Sequence, residues 1–443
     1  MKASAQTTDN NLRYHVTVLS NLARAYDRYA RIYDKAKIPE STYPGEFYLL
    51  KREHLPIGLE KAGRLATRTG VPGERVVILA VPVAPERLRA NELTGRGEIL
   101  DSSQVSVASV MLVEESGEWR GISIEEAMAM AYRLVSPQLA DWQDLVPRSF
   151  SILPIARGCQ ARCAFCFSEA SISSEQAKGM LSMAQIEKGL QEARLRGAER
   201  AVITGGGEPG LLPFEQLLAM VDACSRILER VTLITNGFFL ASLGEAERTD
   251  KIGALSKAGL STLSISRHHW DAEGNTRLMR LDCRHDALAS TMKCQAGPVL
   301  RWVCVLQKGG VGDETSLAHY LDMAAASGAA EICFKELYVS ASTESIYYDR
   351  ESNAWSERHQ IPLSLLLGFA KKHDWTRTGH LPWGAPLYNA TWKGRTLRIA
   401  AYTEPSVMWE RTNKLCRSWN MMADGSCYAS LEDRASRVME TSQ

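Results

Sequence analysis

Three cysteines stand within eight residues, Cys159, Cys163 and Cys166, spaced C-x3-C-x2-C inside the stretch from Arg157 to Phe167. They follow directly on the apolar run Ser151–Ile155, which reads as a strand. A loop leaving a strand end can wrap three thiolates around one face of a small inorganic cluster. A [4Fe–4S] cube held by three cysteines keeps one iron open to an outside ligand, whereas protein clusters usually have four. A structural zinc site needs four ligands, commonly as two separated pairs, and no paired Cys/His set follows nearby. A disulfide framework would not crowd three cysteines into so short a loop of so long a chain.

With Phe165 just before the third cysteine, C-x3-C-x2-C resembles the radical-SAM superfamily. The resemblance implies that the open iron chelates the amino and carboxylate groups of S-adenosylmethionine (SAM). It also implies a low-potential electron donor of flavodoxin or ferredoxin type, splitting of SAM to methionine and a 5′-deoxyadenosyl radical, and removal of a hydrogen atom from a substrate. Gly205, Gly206, Gly207, Glu208 and Pro209 match the family's GGE-P motif, where the backbone meets the methionyl amine of SAM. Glycine allows that approach because no Cβ intervenes. Thr235-Asn236-Gly237 recurs in the family after the third strand. By the same resemblance Ser264 and Ser266, on one face of the fourth strand, hydrogen-bond the SAM carboxylate or ribose, with Arg267 a carboxylate partner. The other reading makes them ordinary polar barrel residues.

The elements that must hold these residues repeat as strand, loop and helix. Strands are expected at Ser151–Ile155, Ala201–Thr204, Val231–Thr235, Ser261–Ser266, Leu300–Leu306 and Glu331–Val339. Helices are expected at Met183–Arg196, Phe214–Leu228, Asp250–Ala258 and Glu314–Ala326, with a less regular stretch at 271–297. Six β/α units predict an α/β fold, a partial (β/α)6 TIM-like barrel with an N-terminal α/β extension and a small C-terminal region. Chemistry in such barrels sits at the C-terminal strand ends, where all these motifs fall. Arg267, His268, His269 and Glu336 are expected to face the substrate cavity as candidate catalytic groups, the histidines titrating near neutrality. A capped, exposed loop is the alternative.

The chain of 443 residues, 45% hydrophobic, can bury a large core. Its regions read as an extension over 1–148, a radical core over 149–345 and a C-terminal lid over 346–443. In the extension a helix is expected over Leu12–Lys37 and strands at 76–83 and 103–114, with a helix at 123–134. A formal net charge of +1 argues against electrostatically driven nucleic-acid or membrane-surface binding. The polar N-terminus, the absence of a long apolar run and ten cysteines point to a reducing cytoplasm.

Within the superfamily the second half is similar to the cyclase that makes the molybdenum-cofactor precursor, at Leu300–Lys308, Gly312–Leu317 and Ala330–Tyr338. Cys416–Gly425 resembles that family's C-terminal cluster segment, but Asn413 and Ser430 stand where two of its three cysteines would be. Cys416 and Cys427 can therefore pack, donate a hydrogen atom, or join a third thiol from Cys283, Cys294 or Cys333. The expected substrate is a ribosomally made peptide. A sugar- or nucleotide-derived small molecule is the second reading, and a non-catalytic Fe–S or zinc protein the third.

Overall fold

The structure is a computed structural model that describes residues 140–156, 158–166, 181–338, 350–361, 363–405, 410–411 and 413–439, with short strands between 29 and 121. The expected helix at 123–134 lies outside the described residues. Contacts divide the chain into Met1–Ala140 with Met408–Asn413, and Asp141–Val407 with Lys414–Gln443.

Among the described residues the first unit holds two antiparallel sheets. Tyr29–Ile32 pairs with Glu98–Asp101, which also pairs with Leu88–Ala90. Thr67–Arg68, Arg75–Leu79, Val110–Glu115 and Glu118–Gly121 form the other. Strands thus stand within the stretches expected at 76–83 and 103–114, whose remaining parts lie largely outside the described residues. The helix expected over 12–37 is corrected at Tyr29–Ile32, because a cross-strand ladder with residues almost seventy positions away overrides local periodicity.

The second unit is built on one 12-stranded sheet. Its centre is the six expected strands, each parallel to the next: β1 (Ser149–Ile152), β2 (Arg200–Ile203), β3 (Arg230–Thr235), β4 (Thr262–Ser266), β5 (Val299–Leu306) and β6 (Glu331–Glu336). The helices returning between them are α1 (Met183–Leu195), α2 (Phe214–Ile227), α3 (Glu245–Lys257), α4 (Ala272–Met279), α5 (His285–Cys294) and α6 (Glu314–Ser327). Pro154 follows β1 and cannot extend its ladder, so the strand ends earlier than the apolar run. Two left-handed residues, Arg280 (φ 51°) and Arg284 (φ 50°), split 271–297 into α4 and α5. Capping boxes at Ser182 with Gln185 and at Asp313 with Ser316 start α1 and α6.

Strands continue the sheet past both edges of this core. On the β6 side, β7 (Thr376–His380) and β8 (Pro386–Trp392) lead to β9 (Arg395–Tyr402), which lies parallel to β6. On the β1 side, β10 (Trp419–Met421) is parallel to β1 and is followed outward by β11 (Cys427–Tyr428) and β12 (Arg437–Met439). Within residues 376–402, expected as part of a lid, three strands therefore join the sheet. Leu397, Ile399 and Ala401 of β9 alternate into the core, which suits a flanking strand. The ion pair of Arg417, just before β10, with Glu404, just after β9, ties the two flanks together.

Alternation sorts the barrel side chains into two layers. Phe150, Ile152, Leu233, Leu263, Ile265, Trp302 and Phe334 turn to the helices and are fully buried, each contributing about 1.5–3 kcal/mol of apolar burial. Phe150 meets Gly189 of α1, and Phe334 meets Tyr320 of α6 at 5.3 Å between ring centroids. The opposite, inner layer carries Ser149, Ser151, Thr232, Thr262, Ser264 and Lys335. This polar lining faces the space where ligands of such barrels lie.

Candidate active site

The cysteine loop leaves β1 through Gly158, whose φ of +112° suits glycine. Its carbonyl accepts the N–H of Glu208 at 2.8 Å, which locks the loop onto the glycine-rich turn after β2. Farther along, Arg162 N–H donates to Met279 O at 2.9 Å. Cys159, Cys163 and Cys166 are all half-buried. Cys159 and Cys163 pack on a small core of Ala161, Met279 and Cys283. Cys283, expected as a possible companion of the C-terminal thiols, thus lies behind this loop.

Burial pushes the Cys159 and Cys163 thiols up from their ordinary value, and for Cys163 the neighbouring Cys166 and Cys159 add to it. Thiolates here need a positive partner, which the irons of a cluster would supply. Among the described residues no three His, Cys, Asp or Glu side chains converge on one metal ion. A cube offers its irons at separate corners, so three thiols along one loop suit it better than a single ion.

The glycine-rich turn is built for close approach. A Cβ on Gly205 would lie 1.8 Å from the carbonyl oxygen of Gly207, and Gly206, Gly207 and Pro209 are buried. Glu208, 4% exposed, holds this turn to the end of β3. Its carboxylate accepts from Gly210 N–H at 2.8 Å, from Asn236 N–H at 2.8 Å and from the Thr235 hydroxyl. Burial raises its pKa, and these bonds oppose the rise. Asn236 reaches the cysteine loop, donating from Nδ2 to Cys159 Sγ at 3.5 Å and Gln160 Oε1 at 3.2 Å. Ser264 and Ser266 share the inner face of β4. Ser264 is 1% exposed and its hydroxyl has no protein partner, an orphaned group where a bound molecule would satisfy it.

The Arg267-His268-His269 cluster does not converge on one cavity. Arg267 is 2% exposed and turned into the wall, donating to His269 O, Trp270 O and Asp286 Oδ1 (2.7 Å), with its guanidinium over Trp302. His269 stacks on Trp270 at 3.7 Å and pairs with Asp271 at 2.9 Å. Only His268 turns toward the cysteine loop, meeting Phe165 edge-on at 4.9 Å. Its Nδ1 accepts the N–H of Val305 at 3.2 Å, so the network assigns the proton to Nε2. Burial, then the charges of His285 and Lys335, push it down to about 3. Burial lowers His269 as well. For His268 the expectation of titration near neutrality is thereby corrected.

Glu336 is the other correction. It shares the helix-facing side of β6 with Ile332 and Phe334 and accepts from Thr403 Oγ1 at 3.1 Å. The inner position belongs to Lys335, whose ammonium lies 3.4 Å from Glu404 Oε1 and 4.7 Å above the Tyr402 ring. Alternation carried one residue on from buried Phe334 points to it. Tyr402 and Arg417 meet the other oxygen of Glu404.

Residues 153–295 match the family model of the Radical SAM superfamily. That span, about a third of the chain, is similar to a radical SAM domain. Members of this family use SAM together with an iron–sulfur cluster. The matched span opens at the cysteine loop and closes after α5, so it takes in both glycine-bearing turns. A comparison with curated proteins gives no match. Among solved structures, SuiB of Streptococcus suis bound to its precursor peptide SuiA is similar at 16% identity and TM-score 0.44, over 72% of this chain and 66% of that one. SuiB bound to SAM gives 14% identity and TM-score 0.42, over 78% and 82%. Methylornithine synthase gives 17% identity and TM-score 0.32, over 46% and 57%. Among the described residues no helix is long and apolar enough to cross a membrane.

Proposed function

We propose that this chain is a radical SAM enzyme that binds a [4Fe–4S] cluster through Cys159, Cys163 and Cys166 and modifies a ribosomally made peptide. The observation carrying the proposal is the junction of the cysteine loop with the glycine-rich turn, through Glu208 N–H to Gly158 O at 2.8 Å. Two loops from neighbouring strand ends thereby share one floor. When bound, the cluster and SAM supply one-electron cleavage of SAM and hydrogen-atom abstraction from the substrate.

The chain's own residues bind and orient. Gly205, Gly206 and Gly207 open the backbone to SAM, with Glu208 and Pro209 fixing the turn and Phe165 closing one side. Asn236, Ser264 and Ser266 line the same space, and the orphaned hydroxyl of Ser264 offers SAM a hydrogen bond. His268 presents a neutral N–H to the substrate rather than a charge. Arg267, His269 and Glu336 brace the wall. Residues 1–148 and the strands beyond β9 exceed what a bare barrel needs, which suits a peptide substrate. An electron donor of flavodoxin or ferredoxin type and a cytoplasmic site complete the reading.

The test is anaerobic reconstitution with iron and sulfide, then incubation with SAM and dithionite. The wild-type protein is expected to release 5′-deoxyadenosine, and the triple Cys159, Cys163, Cys166→Ala variant none. Cleavage by the triple variant would overturn the cluster assignment. For the substrate, each short peptide encoded beside the gene is added and its mass followed. A mass change that needs SAM supports the peptide reading, and unchanged peptides beside active SAM cleavage oppose it.

A further inference from the structure

We infer that Asn236 is a positioning residue whose side-chain amide donates to Cys159 and thereby raises the reduction potential of a cluster held there. The inference rests on Cys159 being a cluster ligand, as proposed above. What distinguishes Asn236 is how completely the rest of it is held. Its backbone N–H donates to Glu208 Oε2 at 2.8 Å, and its carbonyl accepts from His285 Nε2 at 2.7 Å. Its own Oδ1 accepts the N–H of Phe238 at 2.9 Å. Glu208 and His285 are each 4% exposed and Asn236 is 5% exposed. With peptide and side-chain oxygen fixed by three partners, the remaining NH₂ group is aimed at the cysteine loop. There it meets Cys159 Sγ at 3.5 Å and Gln160 Oε1 at 3.2 Å.

The electrostatics give this contact a direction. An N–H pointed at a thiolate stabilises negative charge on sulfur, and a cluster gains one negative charge when it takes up an electron. Hydrogen bonds to the sulfurs are among the factors that set Fe–S potentials. The donor therefore favours the reduced state. His285 is suited to hold the peptide without adding charge, since its Nδ1 faces the Asn275 amide at 3.5 Å and its ring is buried.

A merely structural Asn236 would cap the turn at Phe238 and do nothing to the cluster. Asn236→Asp separates the two roles, because an aspartate keeps the oxygen that caps Phe238 but cannot donate to sulfur. The reconstituted wild type, Asn236→Asp and Asn236→Ala are titrated with dithionite and followed by electron paramagnetic resonance. The midpoint is expected to move to more negative potential in both variants, farther in Asp than in Ala, at unchanged iron content. Equal midpoints at equal iron would overturn the inference and leave the cluster assignment standing. Should a variant fail to fold, wild-type protein labelled with ¹⁵N in the asparagine amide is reduced and examined by pulsed resonance. A ¹⁵N coupling to the cluster is expected, and its absence overturns the inference. If Cys159→Ala leaves the reconstituted cluster unchanged, the ligand assignment fails and the inference with it.

Discussion

The backbone N–H of Asn236 donates to the carboxylate of Glu208 at 2.8 Å, joining the ends of two neighbouring parallel strands. The partners stand 28 positions apart, and between them run the turn that begins at Pro209, all of α2 and all of β3. The same carboxylate takes the Gly210 N–H and the Thr235 hydroxyl. One buried side chain therefore fixes both the glycine-rich turn and the residue that reaches Cys159.

Removing that acceptor should be costly. Glu208→Ala leaves three buried donors without a partner, each worth roughly 1–3 kcal/mol. Part is returned because burial already disfavours the charged carboxylate. A net loss of about 3 kcal/mol is expected in urea unfolding of the apoprotein, with a smaller loss for Glu208→Gln, which keeps one carbonyl oxygen. A loss below about 0.5 kcal/mol in the alanine variant would show that the turn is held by something else.

Gly205 gives a second, sterically sharper test. A methyl group there would stand 1.8 Å from Gly207 O, so the turn must shift to admit it. Gly205→Ala should lose SAM affinity at least tenfold by equilibrium dialysis of reconstituted protein, while unfolding shows a loss of about 1–3 kcal/mol. Wild-type SAM affinity in the variant would mean that SAM does not use this backbone.

Acid should unfold the protein partly through two buried imidazoles. His268 is pushed down to about 3 and His285 to about 4, burial being the main cause for each. With folded values below the unfolded value of about 6.5, their stabilisation is complete above pH 6.5. It is lost as pH falls from there toward 4 and then 3, because only the unfolded chain takes up those protons. Each contributes a slope of up to about 1.4 kcal/mol per pH unit in that window. The measurement is unfolding free energy between pH 6.5 and 4.5 for wild type and His285→Gln. A shallower slope in the variant is expected, and parallel slopes would remove His285 from the acid response.

The cysteine loop and six strands were legible because their signals are local. Three thiols within eight residues need no tertiary information, and each core strand carries its own apolar pattern between turn residues. The faces beyond strand ends were not legible. Arg267 and His268 are sequence neighbours, yet one enters the wall, where Asp286 and Trp302 hold the guanidinium, and the other turns to Phe165 of the cysteine loop. Glu336 is expected in the cavity from its place at a strand end, whereas alternation along β6 groups it with buried Ile332 and Phe334 and turns Lys335 inward. The contact from Asn236 to Cys159 spans 77 positions, and no spacing rule reports it.

The C-terminal thiols provide the remaining test. Cys416 lies on a two-residue strand, Leu415–Cys416, beside Val146–Pro147 before the start of β1, whereas the proposed cluster loop follows the other end of β1. Cys427 pairs with Met421 of β10. Both are 0% exposed, and burial pushes Cys427 up to about 12. A small apolar role explains such thiols without any ligand. Iron analysis of reconstituted protein should give about four irons per chain, the content of one cube. Cys416→Ala and Cys427→Ala should each cost about 1 kcal/mol of stability, the scale of a small buried deletion, and leave iron content unchanged. Turnover in deuterated water should be equally unaffected by either change. About eight irons, or four in wild type and fewer in either variant, would instead make these cysteines ligands.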